Sequence, residues 1–228
     1  MKNYQTTKIK ISGYDIESQI ERAYNAMFTP NSEYPYIINI RNFIPDILRY
    51  EDGVQRYSKF NIARKKIFTK FNVTEYPTAC AVGSFDDTYT LIYTRARTAA
   101  RFFSNINQVD PSNYPSTYGT PLFSRAGVHD NNLLISGTAS IRGSETWHKD
   151  DLFGQIDLTL NNIGRLITTS GLTNSDLVYT IYVKNKESNQ VVKHILQKYD
   201  ISGKIINVDI CRDDLLVEIE AYSRNLKL

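Results

Sequence analysis

Four stretches with helical spacing alternate with short strand-like runs along this chain, and that interleaving restricts it to architectures in which helices cover sheets. Residues 15–28, DIESQIERAYNAMF, set Ile16, Ile20, Ala23 and Met27 on one helical face. Residues 52–71 turn Tyr57, Phe60, Ala63, Ile67 and Phe71 inward beneath a basic outer face. Residues 150–171 begin with Asp150 and Asp151 and stop at Gly171, acids where a helix N-terminus favours them and glycine where the chain leaves the helix. A fourth helix is expected over 188–199. Strand-like runs occupy 8–14, 36–44, 78–85, 89–97, 132–141 and 177–185, and two closing strands follow the last helix. Asp86 and Asp87 mark a tight turn.

Residues 98–131 break the pattern. Asn, Ser, Pro, Tyr and Gly crowd there with no persistent period, which makes the segment a linker or a ligand-shaping loop. Its tyrosines argue against a simple flexible linker. The fold class expected is α+β, in two units, 1–113 and 114–228, each a mixed sheet with helices packed on one face.

Composition removes several functions. With 27 basic against 24 acidic residues the net charge is +3, too balanced for a nucleic-acid binder, though suited to a small anionic ligand. No apolar run is long enough to cross a bilayer, and the N-terminal residues MKNYQTTKIKISGYD hold no signal-like apolar core. A cytoplasmic protein is expected, with neither nucleic acid nor membrane as partner. Cys80 and Cys211 each sit in an apolar run, as reduced, buried thiols do. His129, His148 and His194 lack ligand spacing and companion cysteines, so no metal is expected. Nucleotide-binding glycine loops and nucleophile elbows are also missing.

The run ICRDDLLVEIEAYS (210–223) poses a sharper question. Strand alternation places Leu215, Val217, Ile219 and Ala221 on one side, and Leu216, Glu218, Glu220 and Tyr222 on the other. Two carboxylates on one face fit either an outer strand with one wet face or a sheltered pair with altered acidity. SGTAS (136–140) reads either as a glycine bulge or as a place where a ligand meets the main chain. Arg125, flanked by aromatic and apolar residues in TPLFSRAG, is set to hold a carboxylate by two parallel hydrogen bonds.

The words GTPLFSRAG, LLISGTASIRGSETWHKDDLFGQIDLTLNNI and ICRDDLLVEIEAY together resemble the chorismatase family. IRNFIPDI, EDGVQRYSKFNIARKKIF, ACAVGS and ARTAARFFSNINQV follow in the order of the same family's first domain. The resemblance implies two units of the RidA (YjgF) type, a chorismate mutase-like fold. It also implies cofactor-free cleavage of chorismate to pyruvate and either a hydroxybenzoate, 3-hydroxybenzoate favoured, or a dihydroxycyclohexadiene carboxylate. Glu218, the first Glu of VEIE, takes the place of the acid that protonates the enolpyruvyl methylene. Such an acid must keep its proton near neutral pH, which a poorly solvated strand face promotes and a close Glu220 reinforces. Arg125 and Arg97 are implied carboxylate clamps. Ala139 and Cys211 line the ring pocket, with Tyr118 beside it.

Three departures stand out. Ser144 replaces a histidine in GSET, Asp150 replaces a glycine in HKDD, and no arginine follows Tyr118 and Gly119. Two other readings accompany the first. One is a RidA-type enamine/imine deaminase, disfavoured because Ile205 stands near the place of that group's arginine; the other is a non-catalytic small-molecule-binding paralogue. Monomer and homotrimer stay equally open.

Overall fold

The computed structural model describes residues 3–13, 15–172 and 176–226. In chain order the first unit contains β1 (Tyr4–Ile11), α1 (Ile16–Met27), β2 (Tyr36–Ile44), a minimal hairpin of β3 (Tyr50–Glu51) and β4 (Val54–Gln55), α2 (Arg56–Lys70), β5 (Thr78–Gly83) and β6 (Tyr89–Ala96). After β7 (Arg101–Phe103) and two short 3-10 turns come β8 (Ala126–His129), β9 (Asn132–Ala139) and a second small hairpin of β10 (Ile141–Arg142) and β11 (Glu145–Thr146). The chain closes with α3 (Leu152–Ser170), β12 (Leu177–Val183), α4 (Asn189–Lys198), β13 (Gly203–Asn207) and β14 (Val217–Ser223). Tyr14, the last residue of the first expected strand, lies outside the described residues.

Local chemistry sets the helix ends. The Asp15 carboxylate accepts the Ser18 N–H at 2.9 Å, and Asp151 accepts that of Gly154 at 3.0 Å, so each satisfies a donor that its helix leaves free. α3 stops at Gly171, which takes φ 75° at no steric cost. α2 starts four residues later than its periodicity predicts. Asp52 and Gly53, both at positive φ, turn the β3–β4 hairpin, and the helix can begin only after it. Asp150, in the place where the resemblance has glycine, stands at φ 60°, a left-handed conformation that Asp tolerates better than most residues.

The first sheet has the order β1-β6-β2-β5 and the second β13-β12-β14-β9-β8-β7. β2 and β5 are parallel, joined across α2, and β12 and β13 are parallel, joined across α4. The pairs β1/β6 and β6/β2 are antiparallel, as are β9/β14 and β14/β12. The two units thus repeat one β-α-β-α-β-β topology. β7 and β8 extend the edge of the second sheet, so β7, which precedes residue 113, hydrogen-bonds into the second unit. Sequence pattern missed both strands, for three or four residues including Gly127 show no alternation.

Each sheet buries one face under its own helices. Ile20, Met27, Phe60 and Ile67 pack with Ile40, Leu91 and Tyr93 in the first unit. Ile156, Ile163, Leu166 and Ile195 pack with Ile181, Val217 and Ile219 in the second. The opposite faces meet each other, where Cys80 and Val82 of β5 pack with Tyr182 of β12. Four layers result, helices outside and sheets within, and the inner sheet faces are shielded from water.

Candidate active site

That shielding answers the question posed by the two glutamates. Val217, Ile219 and Ala221 point to the helix-covered core, so Glu218 and Glu220 point the other way, toward the first unit. They are 5% and 3% exposed. The part of the second face of β14 that carries the carboxylates is dry, with half-buried Tyr222 at its margin.

Their partners differ. Glu220 Oε1 accepts the Tyr182 hydroxyl at 2.9 Å and lies 3.0 Å from Arg41 Nε, close enough for an ion pair although that N–H is not aligned for a hydrogen bond. Glu218 forms no ion pair with any described residue; its Oε1 accepts the Cys80 thiol at 3.1 Å. Burial pushes the Glu218 carboxyl up to about 7. The Cys80 hydrogen bond opposes that rise, Glu220 adds to it, and Arg125 and Arg212 oppose it. A carboxyl of this kind holds its proton close to neutrality and can donate it.

Beside Glu218 lies a cavity of about 40 Å³ between the two units. Its floor is made of small residues, Ala79, Cys80 and Ala81 of β5 and Gly137 and Ala139 of β9. Edge strand β5 is covered on its open side: Gly83 N–H donates to the Asp209 carbonyl at 2.7 Å and Val82 bridges to Ile210. This anchors the segment that brings Cys211 and Arg212 to the wall.

Three guanidinium groups surround the cavity. Arg125, buried, donates from Nη2 to the Val109 carbonyl and the Tyr114 hydroxyl, and its Nε has no hydrogen-bond partner among the described residues. Arg64, buried on α2, donates to Asn61 Oδ1 at 2.8 Å, and its Nε is likewise without a partner among them. Arg212 donates to the Ser144 carbonyl at 2.8 Å, which makes the contact independent of the side chain at 144, and lies 4.2 Å over the Tyr118 ring. An acid that keeps its proton up to about neutral pH and faces this much positive potential suits a compact dianion that must be protonated.

Of the residues picked out by sequence, Glu218, Arg125, Ala139 and Cys211 line the cavity. Tyr118 lies next to it, stacked on Arg212. Arg97 is elsewhere: just past β6, it pairs with Glu33 and sits 5.0 Å over the Tyr34 ring. β6 is separated from β5 by β2, and the side chains that contact Glu218 and Glu220 from the first unit come from β5 and β2, Cys80 and Arg41. Sequence reading missed Arg64, Arg212 and Cys80. Arg64 was findable, since it falls on the inward stripe of α2 between Phe60 and Ile67. Ile205 of β13 packs against the second core, offering no guanidinium there. SGTAS carries an irregularity in its pairing, in the interior of the second sheet and not at its edge. The register of β9 against β14 shifts there, and the group that meets Gly137 is the Glu218 carboxyl itself.

A wider groove of about 450 Å³ lies between Phe28, Pro35, Val73 and Phe102. Its buried cation, Arg95, is occupied by the carbonyls of Met27, Thr29 and Tyr34. The smaller cavity is the one in which a proton donor and underused cations converge.

Residues 2–95 match the family model described as chorismatase FkbO/Hyg5-like, N-terminal. A 3-hydroxybenzoate synthase of Streptomyces hygroscopicus is 31% identical, over 87% of this chain and 67% of the relative. A chorismatase of Streptomyces rapamycinicus is 29% identical, over 82% of this chain and 64% of its own length. The chain therefore spans about two thirds of the length of these curated relatives. A chorismatase crystal structure superposes with a TM-score of 0.85 at 24% identity, covering 96% of this chain and 74% of that one, which shows a shared fold. The chain belongs to the chorismatase family.

Proposed function

We propose that this protein cleaves chorismate to pyruvate and a hydroxybenzoate, 3-hydroxybenzoate being favoured by the likeness to the 31% identical 3-hydroxybenzoate synthase. The observation that carries the reading is Glu218: a carboxyl whose proton affinity burial raises to about 7, without an ion-pair partner among the described residues, at a cavity ringed by Arg64, Arg125 and Arg212. Its proton goes to the enolpyruvyl methylene carbon, and the ether carbon becomes an oxocarbenium ion. Capture of that cation by the substrate's own ring hydroxyl leads to pyruvate and the aromatic acid, which together contain every atom of chorismate. Capture by water leads to pyruvate and a diol. The aromatic route needs water kept out, and small walls at buried Ala139 and half-buried Cys211 support that outcome.

Arg125 and Arg64 offer unpartnered Nε atoms to the two substrate carboxylates, and Arg212 adds positive potential. No step in this sequence requires a cofactor. A cavity of about 40 Å³ holds a few waters, so the reading requires the cavity to widen to admit a molecule the size of chorismate. The two free thiols, Cys80 and Cys211, agree with a cytoplasmic setting.

Incubation of the purified protein with chorismate, with pyruvate followed through lactate dehydrogenase and the ring product by mass spectrometry, tests the proposal. Pyruvate release that disappears in Glu218→Gln is the expected result. No pyruvate from the unaltered protein, or undiminished release by the variant, overturns it.

A further inference from the structure

Three strands from two units converge on one oxygen atom. Glu218 Oε1 on β14 accepts the thiol of Cys80 on β5 at 3.1 Å. Gly137 on β9 lies so close that a Cβ there would be 2.0 Å from Oε1, 2.9 Å from the carboxyl carbon and 3.0 Å from Cys80 Sγ. Any larger residue at 137 occupies the space in which thiol and carboxyl meet. Gly137 has no positive φ, so the glycine is required by the contact and not by the backbone.

We propose that Cys80 is a positioning residue for Glu218: its thiol, over the bare backbone of Gly137, fixes Oε1 and leaves Oε2 to carry the proton into the cavity. The catalytic consequence rests on the chorismate reading above. Without the thiol, a carboxyl on a two-torsion stem can present either oxygen and several rotamers, and only some of these align the proton with the reacting carbon. A thiol suits the task because it is a weak donor. A donor of any kind favours the charged carboxylate, and S–H, weaker than O–H or N–H, orients the group while lowering its proton affinity less than those would. Burial and the neighbouring Glu218 and Glu220 push the Cys80 thiol well above its ordinary value, so it stays S–H and continues to donate.

The cradle makes the first unit a participant in the chemistry of the second. It also assigns ACAVGS a role beyond packing, since the residue between Ala79 and Ala81 reaches the acid.

The test uses Cys80→Ala, Cys80→Ser and Gly137→Ala in the full chain, with two readouts. The first is a carbon-13 titration of the Glu218 carboxyl in the free protein, which needs no turnover. The second is the pH dependence of pyruvate release from chorismate. In Cys80→Ala the Glu218 titration is expected to move to higher pH, and the falling limb of kcat/KM to move with it. kcat is expected to drop about tenfold or more while KM stays within about twofold. Cys80→Ser, which restores a donor, is expected to bring both midpoints back down. Gly137→Ala wedges the pair apart and is expected to shift the titration in the same direction as Cys80→Ala, which keeps the test open if that variant does not fold. Unmoved Glu218 titration in both Cys80→Ala and Gly137→Ala overturns the cradle, whatever the activity. Absence of pyruvate from the unaltered protein overturns the substrate assignment, while the titration still decides whether Cys80 holds Glu218.

Discussion

Arg41 Nε lies 3.0 Å from Glu220 Oε1, an ion pair formed between the facing surfaces of the two sheets. Glu220 and Glu218 share a strand face, and this one cation separates their chemistry. Glu220 is balanced by Arg41 and hydrogen-bonded by Tyr182, so it serves to join the units. Glu218, unpaired with any described cation, is left as an acid whose proton affinity is raised by burial.

Breaking the Arg41–Glu220 pair from one side strands a buried carboxylate. Arg41→Met is expected to destabilise the protein by about 3–5 kcal/mol in urea unfolding, and adding Glu220→Leu to recover most of that loss. A single-variant cost below about 1 kcal/mol contradicts a structural role for the pair.

Activity should require the protonated form of Glu218. With its carboxyl pushed up to about 7, kcat/KM is expected to be level at acidic pH and to fall about tenfold per pH unit above neutrality. A bound dianion raises the proton affinity further, so the corresponding limb in kcat should lie at higher pH. A profile that rises through pH 7 instead would mean that the carboxylate, and not the acid, is the working form.

Stability carries the same signature with a fixed sign. Because the folded-state value of Glu218 is raised from 4.5 to about 7, its favourable contribution is complete below about 4.5 and is lost as pH rises to about 7, an effect of about 3 kcal/mol. Glu218→Gln removes that dependence. Unfolding curves of the two proteins at pH 5 and pH 8 should therefore diverge, with the variant gaining on the unaltered chain at the higher pH; parallel behaviour argues that the carboxyl titrates normally.

The two arginines singled out by sequence should separate cleanly. Arg125→Ala is expected to raise KM for chorismate at least tenfold, for it removes a buried guanidinium at the cavity. Arg97→Ala, at a site pairing with Glu33 away from the cavity, is expected to change kcat and KM less than about twofold. Equal losses in both variants would require Arg97 to reach the substrate.

Much of the architecture was readable along the chain because it is written in short-range periods. α1, α3 and α4 and the strands at 36–44 and 177–183 announce themselves through apolar spacing, with Asp150 and Asp151 before α3 and Gly171 at its end. Short elements escaped. β7 and β8 hold three and four residues, and their pairing depends on partners rather than on pattern. At the site, Glu218, Ala139 and Cys211 were found through family words, and Arg125 through its apolar setting. Arg64 was legible as a charge on the inward stripe of α2, whereas Arg212 looks like an ordinary charge in an acidic loop until the units close over it.

The sequence by itself determined which residues alternate, which helices form and that two carboxylates must share one face of the last strand, since those follow from backbone geometry over a few residues. Only the tertiary structure decided that this face is dry where it carries the carboxylates, that Arg41 neutralises Glu220, and that Cys80 from the other unit reaches Glu218. Proton affinity depends on solvent exclusion and on charges brought near through space. Those are set by how the two sheets meet, at a sequence separation of 138 residues in the case of Cys80 and Glu218.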